Sequence, residues 1–141
     1  MNTTLRRAAG FTLLELLVVV TIIAILSAIA IPSYRQYVLR GHRTDATRAL
    51  QDLAAREENF YFANNAYSKL TTDLGSSASV AGRYFSINIP SASSTDYTLR
   101  ATAIDPQTQD TMCRVFTLDR AGNSLSTDAG GADTSTTCWG K

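Results

Sequence analysis

The side chains whose chemistry could matter most are Glu15, Cys113, Cys138, His42, Asp128 and Asp133. Glu15 stands inside an otherwise apolar run from Phe11 to Ile31, 21 residues long. Placing an ionised carboxylate in hydrocarbon costs about 2.5–3.5 kcal/mol, so this group calls for a cationic partner. The two cysteines lie 25 positions apart, which is not the spacing of a metal site, and a disulfide is a better reading than two buried thiols. Such a bridge would stabilise a fold by roughly 3 kcal/mol on the chain-entropy model and would persist only in an oxidising compartment. His42 is the only histidine and is flanked by arginines, so it reads as a solvated helix residue and no histidine-based triad or metal cluster can be assembled. Asp128 and Asp133, with glycines between them, miss the calcium-loop pattern. No phosphate-binding loop, dinucleotide fingerprint or nucleophile elbow is present. The expected chemistry is therefore not catalytic: no enzyme, no cofactor and no metal.

The apolar run is the element that positions Glu15. As a helix it would be about 31 Å long, close to the ~30 Å hydrocarbon thickness of a bilayer. Its interior mixes β-branched with small residues, as in Val18-Val19-Val20 and Ala28-Ile29-Ala30, a texture that suits helix-on-helix packing. Thr12, Thr21 and Ser27 can hydrogen-bond back to their own helix. Pro32, which lacks an amide hydrogen, and Gly41 are expected to break or soften that helix. Residues Met1–Gly10 hold Arg6 and Arg7 and no acid, so they read as the basic side of an export signal that stays cytoplasmic while the remainder faces outward. The run exceeds an ordinary signal core, and Ile29-Ala30-Ile31-Pro32 makes a poor cleavage site, so the segment is expected to remain.

From Ser33 to Asn64 the pattern is amphipathic. Tyr34, Tyr37 and Val38 share a face, and Ala46, Ala49, Leu50, Leu53, Phe60 and Tyr61 recur at helical steps. Asp52 and Arg56 form a favourable pair, Phe60-Tyr61-Phe62 demand a cover, and Asn64-Asn65 stops the helix. Residues 65–82 read as a surface loop. Strands are expected over Tyr84–Ile89, Tyr97–Ile104 and Met112–Leu118, with a short fourth at Asn123–Ser126, separated by Asp- and Gly-containing turns. The polar tail 127–137 would be stapled back by Cys113–Cys138, with Trp139 over the bridge. The expected class is α+β, a long N-terminal helix on a three- to four-stranded antiparallel sheet.

Net charge is +1 overall, but Arg35, Arg40 and Arg43 supply +3 while residues 44–141 sum to −3. A strongly basic nucleic-acid footprint is absent, although a sheet could gather Arg83, Arg100, Arg114 and Arg120 into a local patch. The Arg35, Arg40 and Arg43 cluster reads as a membrane-headgroup or filament contact in preference to a DNA site.

The string Arg7-Ala8-Ala9-Gly10, then Phe11-Thr12-Leu13-Leu14-Glu15, then an apolar stretch to Pro32, resembles the type III signal of type IV pilins and pseudopilins. Ile31-Pro32-Ser33-Tyr34 and Glu57-Glu58-Asn59-Phe60-Tyr61 are similar to pilins of the PilE-type minor class. Beyond Tyr67 the resemblance is looser and rests on the cysteine pair and Cys138-Trp139. It implies a leader, 1–10, cut after Gly10 by a prepilin peptidase that methylates the new amino group of Phe11. It also implies a transmembrane and filament-core helix, 11–32, and a periplasmic, later extracellular, globular part, 33–141. The implied partners are other pilin subunits and an inner-membrane assembly platform, and the implied role is a subunit of a pilus for adhesion, twitching motility or DNA uptake. A neighbour's Phe11 amine would then pair with Glu15, and a buried ion pair of that kind can set the axial register between apolar helices. A type II secretion pseudopilin, which the cysteine pair argues against, and a pilus-borne DNA-binding competence pilin are the alternatives.

Overall fold

The computed structural model describes residues 10–75 and 83–140. Positions 1–9 of the expected leader and 76–82 of the expected loop lie outside the described residues. Two units are distinguished, Met1–Arg35 and Gln36–Lys141.

Within the first unit, Thr12 begins helix α1 (Leu13–Asn64) by accepting the Glu15 amide hydrogen on Oγ1 at 3.1 Å. Thr12-x-x-Glu15 is the pattern of a helix cap, a signal absent from the expectations above. Thr21 Oγ1 donates to the Leu17 carbonyl at 2.8 Å and Ser33 Oγ to that of Ile29 at 2.9 Å, so both hydroxyls are satisfied by their own helix. The break expected at Pro32 and Gly41 is not found: both lie inside α1, which is helical without interruption from Leu13 to Asn64. Proline removes one amide donor, and the helical bonds on either side carry the backbone through; glycine forgoes only about 1 kcal/mol of propensity.

In the second unit α1 buries Ala46, Ala49, Leu50 and Leu53, spaced one face apart. They pack on a meander of four antiparallel strands, β1 (Phe85–Ala92), β2 (Tyr97–Ala103), β3 (Val115–Asp119) and β4 (Ser124–Thr127), ordered 1-2-3-4. Strict alternation sends Phe85, Ile87 and Ile89 of β1 inward, with Leu99 and Ala101 of β2 and Phe116 and Leu118 of β3. Asn65 ends α1 with φ of 51°, its amide donating to the Tyr61 carbonyl, so the expected asparagine stop is realised. Phe60 and Tyr61 find cover against the core, whereas Phe62 stays 82% exposed.

Two expectations change. Strand β3 begins at Val115 and not Met112; the Cys113 amide, which donates to Asp110, is lost to the ladder. The stretch after Asn65 is not wholly surface, since Tyr67, Ser68 and Leu74 are buried. Trp139 packs edge-on to Phe116 and donates its indole N–H to the Leu125 carbonyl at 2.8 Å, so it seals the outer edge of β4. That edge is further closed by Thr134 N–H to the Ser126 carbonyl, in a tail that includes helix α2 (Ser135–Cys138) and is tied down by the Cys113–Cys138 disulfide.

Candidate functional site

The first candidate site is the N-terminal part of α1. Gly10, Phe11 and Glu15 are exposed, as is each large apolar side chain from Leu13 to Ile31. Among the described residues none of this segment is buried, and the helix is long and apolar enough to cross a membrane. An apolar surface of this size must be covered by lipid or by other helices. Glu15 lies on that surface, its backbone occupied by the Thr12 cap and its carboxylate outward.

In the second unit, His42 is not the solvated residue expected. Its ring is half-buried, stacks on Tyr84 with centroids 3.5 Å apart, and its Nδ1 lies 2.9 Å from Gln107 Oε1. Gln107, fully buried, donates to the Leu39 carbonyl and to Asp110 Oδ2. Asp110 takes a bidentate pair from Arg43, Nε at 2.7 Å and Nη2 at 3.0 Å, with side-chain exposures of 12% for Arg43 and 3% for Asp110. These groups clamp the 104–114 loop to α1, and Arg43 thereby leaves the basic cluster that the sequence suggested.

Of the anticipated nucleic-acid patch, Arg100, Arg114 and Arg120 stand at separate points of the sheet. Arg114 and Arg120 flank opposite ends of β3; Arg114 donates to the Thr108 carbonyl, and Arg120 to Tyr67 Oη at 2.7 Å and the Thr95 carbonyl. Arg100 stands alone mid-sheet, opposite Asn88 and Thr117. Asp128 accepts the amide hydrogens of Gly130 and Ala132, and Asp133 those of the Ser135 amide and hydroxyl, which lower its pKa. Both carboxylates are spent on turns.

Glu57 was not singled out by the sequence. It is 0% exposed; Oε2 accepts the Ser68 amide hydrogen, and among the described residues Oε1 has no hydrogen-bond partner. Desolvation raises its pKa, the Ser68 hydrogen bond opposes that, and the nearby charges of Glu58 and Asp73 raise it further. The folded state therefore holds this proton to higher pH than the unfolded chain does, and stability falls as pH rises from about the unfolded value of 4.5 through the raised folded value. Glu57→Gln is expected to abolish that loss. Urea midpoints measured from acid to neutral pH should decline less steeply for the variant, and equal slopes would show that folding leaves the Glu57 carboxyl unshifted.

Two family models match the chain. Residues 5–31 match the prokaryotic N-terminal methylation motif, and residues 32–117, more than half of the chain, match the model described as "Type IV minor pilin ComP, DNA uptake sequence receptor". The chain belongs to the type IV pilin family. Among curated relatives, this pilin is 39% identical over 93 residues to the type IV wide pilus major component PilA4 of Thermus thermophilus, an alignment covering 64% of this chain and 71% of that one. It is 34% identical to the major pilin PilE of Neisseria gonorrhoeae, covering 53% of this chain and 46% of the relative. Against the first of these relatives taken in order, including PilA of Myxococcus xanthus, the matched part spans only about 36% to 61% of their length. The non-core minor pilin PilV of Neisseria meningitidis shares the fold, with a TM-score of 0.52 at 20% identity over 65% of this pilin and 89% of PilV.

Proposed function

We propose that this pilin is a structural subunit, of the minor class, of a type IV pilus. Residues 1–10 are removed by a prepilin peptidase after Gly10, Phe11 is methylated, and residues 11–32 hold the subunit in the inner membrane with the globular part in the periplasm. An assembly platform then transfers it into a filament on the cell surface, where sister helices replace lipid around the same apolar surface. The observation that carries this reading is the uncovered apolar length of α1 joined to a folded, disulfide-closed unit. Because lipid and helices solvate such a surface alike, the transfer requires no refolding. The relatives in the comparisons are pilus and fimbrial proteins, which favours this over a type II secretion pseudopilin.

Mass spectrometry of sheared surface fibres is the test. It should find this chain beginning at N-methylated Phe11; its absence from fibres, or a retained leader within them, overturns the proposal.

A second reading, a pilus-borne DNA-binding competence pilin, is favoured by the description of the family model that matches residues 32–117. The net charge of −3 over residues 44–141 and the hydrogen-bonded state of Arg114 and Arg120 weigh against it. Salt-sensitive binding of duplex DNA by the whole chain would elevate this reading.

A further inference from the structure

One cleft in the second unit is unused by anything above. It encloses about 550 Å³ between α1 and the disulfide-bounded loops, with Gln36, Arg40 and Arg43 on one wall and Gln109, Met112 and Thr137 on the other. A smaller hollow of about 390 Å³ shares Arg40, Arg43 and Thr137 and extends it to Trp139. On α1 the positions 36, 40, 43, 44 and 47 follow one helical stripe, so the polar lining comes from a single face.

We propose that this cleft binds the phosphate headgroup of an anionic phospholipid, bracing the pilin in the membrane before assembly. The inference rests on the membrane-resident state proposed above. The lining is rich in donors: among the described residues Arg40 has no carboxylate partner, and Arg43 keeps its Nη1 unpaired while Nε and Nη2 hold Asp110. The one carboxylate in the wall, Asp110, is already neutralised by Arg43, so the free charge of the cleft is that of Arg40. A forked guanidinium, that of Arg40, with the spare Nη1 of Arg43 beside it, suits a phosphate better than an ammonium would. The wall is not wholly polar, because Met112 is 49% exposed and offers an apolar sill to the glycerol and first methylenes of a lipid. Tyr37 is exposed three residues before Arg40, with the amphipathic ring that membrane interfaces favour. The chain tethers the cleft to the hydrocarbon: Arg40 follows Ile31 by nine residues, at most about 32 Å of fully extended chain and about 13 Å at helical spacing. A basic side chain so close to an anionic leaflet is attracted to it.

The test uses the full chain in nanodiscs of equimolar phosphatidylglycerol and phosphatidylcholine, with retained lipids counted by native mass spectrometry. The wild-type chain is expected to retain phosphatidylglycerol selectively, and Arg40→Gln to lower that retention about fivefold, the scale of one basic group near an anionic surface. Arg35→Gln, outside the cleft, should leave it near the wild-type value. Retention without headgroup preference, or equal losses for Arg35→Gln and Arg40→Gln, would overturn the proposal. Cross-linking from position 40 to a second pilin copy in place of lipid would do the same. Sheared fibres from the same strains separate the two readings: intact fibres without lipid selectivity remove the cleft alone, whereas absence of the wild-type chain from fibres removes the assembly role and leaves the cleft to be decided by the lipid counts.

Discussion

Glu15→Gln and Glu15→Ala chains are expected to reach the membrane at the wild-type level and yet to leave surface fibres reduced by on the order of a hundred- to a thousandfold. That scale is about 3–5 kcal/mol for breaking a buried pair, at 1.4 kcal/mol per tenfold. The geometry separates assembly from folding. Glu15 is exposed in the isolated subunit, and the helix cap uses its backbone amide, which both variants keep. Subunit stability should therefore not move, and in lipid the neutral variants should be easier to accommodate than the charged parent. In the proposed filament, what the variants lose is the partner of a neighbour's Phe11 amine, left buried among apolar helices. Quantifying sheared fibre against whole-cell subunit decides the matter: fibres at the wild-type yield would end the register argument.

Asp110→Ala is the second large effect, and it acts on folding. Asp110 accepts from Arg43 twice, from the Cys113 amide and from Gln107, so its removal orphans a nearly buried guanidinium and two further donors. A loss of about 3–5 kcal/mol is expected, a large part of the ~5–15 kcal/mol available to a domain of this size. Urea unfolding of the oxidised full chain in detergent would read it. The double variant Arg43→Met/Asp110→Leu should recover most of the loss, since replacing both charges with apolar groups removes the desolvation penalty along with the attraction. A single variant with an unchanged midpoint would mean that the clamp does not hold the 104–114 loop.

The parts of this protein that repeat at short range were legible in its residues. The length of the apolar run, the face made by Ala46, Ala49, Leu50 and Leu53, the alternation of β1 and β2 and the Asn64-Asn65 stop each follow from a period or a local dihedral preference. The fourth strand was legible too, short as it is, because turn residues bracket it. The cysteine pair was readable from spacing and composition, and the bridge is present. Pro32 and Gly41 both lie inside α1 although proline costs about 3 kcal/mol in a helix interior, because the bonding of a helix 52 residues long continues on either side of them.

What escaped were partners far apart in the chain. His42 and Gln107 are 65 positions apart and Arg43 and Asp110 are 67, so neither pairing leaves a periodic trace. Nothing local distinguishes Arg43, which is spent on Asp110, from Arg40, which is not, although they lie three residues apart on one helix. Glu57 and Glu58 look alike in the sequence, yet only Glu57 turns inward and is desolvated. The sequence by itself thus determined that this is an α+β chain with an apolar N-terminal helix carrying one carboxylate, because those features live in composition and short-range order. Only the tertiary structure decided which charges are spent and which remain available, because that depends on where the loops return after the sheet has formed.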